Sequence, residues 1–138
     1  MSNDALRTLT DKSEIIDVFN RYATGIDQRD EALFRACFVE DLQVEMEGVE
    51  PITGGATQWV DLALSAVGGY ETTHHIVTNH DIRIDGDQAT GVAYLQAQHW
   101  NPDSSFLVGG YYTNEFRRTN DGWRISKLTL KVTWTKPG

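Results

Sequence analysis

A single cysteine, Cys37, stands in 138 residues. An intrachain disulfide is therefore excluded, and so is a metal centre built on several thiolates. Positive charge is also scarce: 12 lysines and arginines face 20 aspartates and glutamates, giving a net charge of −8 and a pI near 4.8. That balance argues against a nucleic-acid groove and against attraction to an anionic membrane surface. No apolar run approaches the ~20 residues that a membrane helix requires. Met1-Ser2-Asn3-Asp4 lacks the basic and apolar regions of a secretory signal, so the expectation is a cytoplasmic protein. Internal repeats, low-complexity tracts and composition breaks are missing too. What remains is ordinary globular composition, 40% hydrophobic and 23% charged, in a chain long enough to bury a core. The expectation is one domain over residues 1–138, with 1–10 flexible.

The first half of the chain reads as helices around one strand. Asp11 and Glu14 stand at the spacing of a capping box, and Ile15, Phe19, Tyr22 and Ile26 recur at helical intervals, predicting a helix from about 12 to 27. A short helix should follow Asp30, through Ala32, Leu33, Ala36 and Cys37. Gln43–Glu47 alternates as a strand until Gly48 and Pro51 break it. A third helix carries Trp59, Leu62, Ala63, Leu64 and Ala66 between glycine pairs. Strand patterns then occupy 72–84, 89–100, 106–118 and 123–134, joined by turns rich in Asp, Asn and Gly. Helices segregated from an antiparallel meander define the α+β class, and a bent sheet around the first helix would enclose a pocket.

The chemistry-bearing residues are few. Asp27 ends the first helix and His74-His75 opens the meander. A carboxylate and an imidazole brought together in an apolar fold form a proton-abstracting dyad at neutral pH. The bland alternative for Asp27 is a solvated turn residue paired with Arg29. His74 and His75 must face opposite sides of the sheet. Strict alternation places His74 with Ile76, Ile82 and Ile84, whereas a β-bulge in 78–81 would free His75 to point inward. Tyr22 lies on the apolar stripe, where its hydroxyl could serve the core or a substrate oxygen. Gln96, Tyr111, Lys131 and Trp134 are candidate lining residues. His80 and His99 invite a metal reading with His75, but no HxH or HExxH spacing supports one. Gly109-Gly110 precedes no helix and fits a bend in the sheet better than a phosphate loop. Of the four tryptophans, at least two are expected to serve the core.

Several short segments in order carry a family resemblance: Gly25-Ile26-Asp27, His75–Asn79, Tyr112-Thr113-Asn114-Glu115-Phe116, and Gly122-Trp123-Arg124-Ile125-Ser126-Lys127. They resemble the SnoaL-like branch of the NTF2-like superfamily, which includes scytalone dehydratase, bile-acid 7α-dehydratase and hexachlorocyclohexane dehydrochlorinase. The resemblance implies an NTF2-like (cystatin-like) α+β cone, three N-terminal helices packed on a strongly bent antiparallel sheet. It implies a cofactor-independent, metal-free lyase of dehydratase type, with His75 as base, Asp27 orienting it, and Tyr22 assisting. The implied substrate is a small hydrophobic cyclic or polyketide-like molecule, and the implied assembly a homodimer or homotrimer formed through the outer sheet face. Two departures set limits: Leu128 stands where the dehydrochlorinase has an arginine, and Gln96 or Ala97 where the bile-acid enzyme has an acidic residue. An isomerase, or a non-catalytic module such as a dioxygenase small subunit, stays open.

Overall fold

The computed structural model describes residues 2–138. Its elements are α1 (Asn3–Asp27), α2 (Glu31–Arg35), β1 (Phe38–Met46), α3 (Gly55–Val67), β2 (Thr72–Asp85), β3 (Gln88–Asn101), β4 (Ser104–Thr119) and β5 (Gly122–Pro137). The sheet order is β1-β5-β4-β3-β2. After β1 the chain crosses through α3 to the far edge and returns by three antiparallel pairings. Strand β5 thus arrives beside β1 running the same way, and the two pair in parallel. The sheet is mixed, not wholly antiparallel as the meander suggested.

Helix α1 begins at Asn3, well before the predicted start near 12. Ser2 caps it by accepting the Ala5 N–H at 3.1 Å. Asp11 is therefore not a cap. It lies mid-helix, 5% exposed, and accepts two bonds from Arg118 (2.9 and 2.8 Å) and one from the Trp123 indole (3.1 Å). The Arg118 guanidinium sits 4.5 Å above the Trp123 ring and also binds Asp87 at 2.9 Å. Sequence patterning counted this carboxylate as local, whereas its partners lie more than 100 residues away. One cluster ties α1 to the β2–β3 turn and to both strands of the last hairpin.

The apolar stripe of α1, Ile15, Val18, Phe19, Tyr22 and Ile26, packs on the inner sheet face with Tyr112, Phe116, Ile125 and Leu128. Phe19 meets Phe116 edge-on at 5.4 Å, a favourable aromatic geometry. Cys37 is fully buried in this core, and burial pushes its thiol up to about 12. Register shifts fall at Phe38/Gln43, Thr78/Asp81, Gly109/Gly110 and Glu115/Phe116, the places where a sheet is re-aimed. At Gly110 an added Cβ would strike the Lys131 carbonyl, so that position needs glycine, whereas at Gly109 it would meet only the half-exposed Trp134 ring. None of the described helices is long and apolar enough to cross a membrane.

The Asp11 cluster makes a direct prediction. Asp11→Ala should lower the unfolding free energy by ~2–4 kcal/mol, because it removes the guanidinium's two-bond partner, leaving only Asp87 and the Gly86 carbonyl, and strips a buried indole N–H of its acceptor. The Arg118 bonds outweigh burial and hold the Asp11 carboxyl below its ordinary 3.8. Its contribution is therefore complete above that value and disappears as the pH falls through the lower folded one. Urea titrations of both proteins at pH 7 and under acid conditions would check this. Equal midpoints at pH 7 would remove Asp11 from the role.

Candidate active site

The site forms where the C-terminus of α1 meets the start of edge strand β2. Helix α1 ends in a turn whose bonds are those of a Schellman motif: Asp30 N–H to Gly25 O at 2.9 Å and Arg29 N–H to Ile26 O at 3.3 Å. The left-handed position of such a turn is normally glycine, yet here it is Arg29, with φ of 56°. That backbone state costs a non-glycine residue roughly 1–2 kcal/mol. The guanidinium offsets the cost by capping orphan carbonyls. It donates to Ile26 O (2.9 Å) and Asp27 O (3.2 Å) at the end of α1, and to Val67 O (3.0 Å) at the end of α3. It also donates to the Thr73 hydroxyl at 2.9 Å. Arg29 thus bonds the Asp27 backbone, not its carboxylate, and the sequence alternative of a surface ion pair fails.

The Asp27 carboxylate instead turns to β2. Oδ2 accepts the His75 backbone N–H at 2.7 Å, while Oδ1 accepts the Thr73 hydroxyl at 3.0 Å. Oδ1 also meets His75 Nδ1 at 2.6 Å. Against an ionised carboxylate that nitrogen carries the proton, which leaves the Nε2 lone pair on the other side of the ring. The side chains are 10% (His75) and 19% (Asp27) exposed. Burial pushes the Asp27 carboxyl up, but the His75 and Thr73 bonds prevail and hold it below its ordinary value.

His75 faces inward because β2 changes phase. Thr73, His75 and Val77 are covered, and Asn79 then adopts φ of 57° at the register shift. Beyond it His80, Ile82 and Ile84 take the inner face. The bulge considered for 78–81 is present, and His74 is exposed on the outside.

His75 lines a cavity of about 320 Å³ between α1, α3 and the sheet. Its walls include Tyr22, Ile26, Trp59, Ala63, Leu95, Ala97, Phe106, Tyr112 and Leu130, with no Asp, Glu, Lys or Arg. Tyr22 and Tyr112 lie edge to face at 5.4 Å. Burial pushes both phenols well above their ordinary range; the Tyr112 hydroxyl adds to this for Tyr22, while the bond to Tyr22 only partly opposes it for Tyr112, so both stay protonated.

Four lining expectations are corrected. Gln96 and Tyr111 project from the outer face, because Leu95, Ala97 and Tyr112 beside them take the inner one. With Trp134 they line a separate outer groove that also includes Tyr94. Lys131 is exposed and binds Glu47 at 2.6 Å. Conversely, sequence reasoning passed over His99 as a lining residue. It faces the cavity from β3, its ring 5.9 Å from that of His75. Its period-two spacing from Ala97 and Leu95 was the available signal.

Residues 7–129 match the model of the SnoaL-like domain. The chain belongs to the SnoaL-like family. Hexachlorocyclohexane dehydrochlorinase 1 of Sphingobium indicum is 27% identical to it, over 96% of this chain and 88% of that one. The crystal structure of Kfla4162 from Kribbella flavida is 34% identical with a TM-score of 0.88, covering 94% of this SnoaL-like chain and 95% of the other. An NTF2-like protein with a cystatin-like fold from Novosphingobium aromaticivorans superposes with a TM-score of 0.79 at 21% identity, covering 94% and 86%. That likeness bears on the fold alone, which is α+β and NTF2-like.

Two substitutions test how the site is held. Asn79→Val should destabilise by about 1–2 kcal/mol through its positive φ, whereas Asn79→Gly should be near neutral. Thermal unfolding reads both, and equal losses would mean the bulge tolerates any residue. Arg29→Gly should relieve the backbone yet still shift the His75 Nδ1 proton resonance, because the Arg29–Thr73–Asp27 chain is lost. An unchanged resonance would show that Asp27 is placed without it.

Proposed function

We propose that this protein is a cofactor-independent lyase of the dehydratase type that removes a proton from an uncharged cyclic molecule with His75 and Asp27. The 2.6 Å contact between the two, at the wall of an apolar cavity, carries the reading. His75 Nε2 takes a proton from carbon beside a carbonyl, and the C–H electron pair moves onto the carbonyl oxygen. Asp27 keeps the imidazole in the required tautomer and steadies the imidazolium. Tyr22, backed by Tyr112, donates to the developing oxyanion. The electrons then return, the carbon–oxygen bond to a neighbouring hydroxyl breaks, and the imidazolium returns its proton to the departing hydroxide. Water leaves, and His75 ends as it began.

The absence of charged walls restricts the substrate to neutral molecules, since an unpaired ion in such a cavity costs several kcal/mol. A binding module would have no use for a covered carboxylate–imidazole pair beside open space. In this reading the register shifts bend the sheet around α1. The outer face, where Ile76, Tyr94, Trp100 and Trp134 are 58%, 54%, 41% and 41% exposed, pairs with further copies as a homodimer or homotrimer. An isomerase using the same proton abstraction is the runner-up on this site.

The experiment is a screen of cyclic β-hydroxy ketones for loss of water, read by new enone absorbance. His75→Ala and Asp27→Asn should each lower the rate by about 10²–10⁴, the usual share of a general base. Full activity in either variant would end the dyad mechanism. Sedimentation equilibrium should give two or three chains, and a monomer would refute the assembly.

A further inference from the structure

His99 differs chemically from His75 although the two rings share one cavity. Its Nδ1 lies 3.1 Å from the carbonyl oxygen of Phe106, the residue directly opposite on β4. A carbonyl can only accept, so Nδ1 is the protonated nitrogen. The ring is held between Tyr70, at 5.0 Å, and Phe106, at 5.9 Å, so it cannot turn freely to exchange its nitrogens. Burial disfavours the imidazolium, outweighing the Phe106 carbonyl, and the neighbouring His75 acts in the same direction. His99 is therefore a neutral imidazole whose Nε2 carries a lone pair. Among the described residues no side chain or backbone group donates to that nitrogen. It is also not one of the sealed unpartnered atoms, which are Trp59 Nε1, His80 Nε2 and Asn114 Oδ1. Nε2 is thus not sealed off, and the ring that carries it lines the cavity.

We propose that His99 is a specificity-determining acceptor that holds a hydroxyl of the bound molecule, so the ligand class is an uncharged, hydroxylated ring compound. A ligand whose oxygens are all carbonyl or ether leaves Nε2 facing oxygen lone pairs, which is repulsive. A hydroxyl converts the same contact into a hydrogen bond. Because Nε2 has no proton to give, this hydroxyl is not the group lost as water; it stays on the product. That last statement rests on the lyase reading above. The hydroxyl site does not.

The test measures binding, not turnover. 2-Naphthol and 2-methoxynaphthalene share a ring system, but only the first can donate. Both are titrated by calorimetry into the full-length His75→Phe protein, which removes the competing imidazole, and into His75→Phe/His99→Phe. The expected result is a preference for the naphthol of about tenfold in the first protein, the size of one neutral hydrogen bond, falling to near unity in the second. In wild type, ¹⁵N spectra should show His99 with a protonated Nδ1 and a bare Nε2, whose resonance shifts with the naphthol. Equal affinities in His75→Phe, no binding of the naphthol, or a protonated Nε2 in the free protein would each overturn the proposal. The naphthol preference in His75→Phe, together with a wild-type protein that dehydrates none of the cyclic β-hydroxy ketones, would sink the lyase reading alone.

Discussion

The site depends on one unmet hydrogen bond at a sheet edge. Strand β2 has no neighbour on its outer side, so the His75 N–H has no strand partner there and needs an acceptor from elsewhere. Asp27 supplies it. The same carboxylate, fixed at one oxygen by the backbone, presents its other oxygen to the imidazole of the same residue. Backbone and side chain of His75 are thus bound to one group, and the ring orientation follows from the strand geometry. Elsewhere an edge strand is a liability that must be covered; here its covering is also the device that sets a tautomer.

Holding Asp27 there requires α1 to stop at the right residue, and Arg29 governs that stop. A glycine in the left-handed position would end the helix with less strain, but it could not reach the carbonyls of α1 and α3 or the Thr73 hydroxyl. Local strain is exchanged for a tie among three elements. In the N-terminal half of α1, Asp11, Arg118 and Trp123 make the corresponding tie, so charged groups hold the helix there and at its C-terminus, with apolar packing between them.

Much of this was legible in the chain. Apolar periods located the helices, and turn residues located the hairpins, because both signals are local. Asp27 and His75 were legible through short family-like segments, and a bulge somewhere in 78–81 was weighed as a way to face His75 inward. The long-range features were not. Nothing near Asp11 announces Arg118, and nothing near Arg29 announces Thr73 or Val67. The lining residues misled for another reason: Gln96 and Tyr111 alternate with the inward Leu95, Ala97 and Tyr112, Lys131 stands between the inward Leu130 and Val132, and the register shift at Gly109/Gly110 takes Trp134 out of phase with those two. Ala97 was uninformative as a letter, yet it stands opposite His75 and contributes the space beside it.

The left-handed residue at Asn79 divides β2 into two independently phased halves. Below it, His80, Ile82 and Ile84 face the core around Phe19; above it, Thr73, His75 and Val77 face the site. Each half keeps its own register with β3. Substitutions that reshape the upper half therefore need not be compensated in the lower one. The strand works as a joint between a part that must stay the same for the protein to fold and a part free to vary with the molecule it meets.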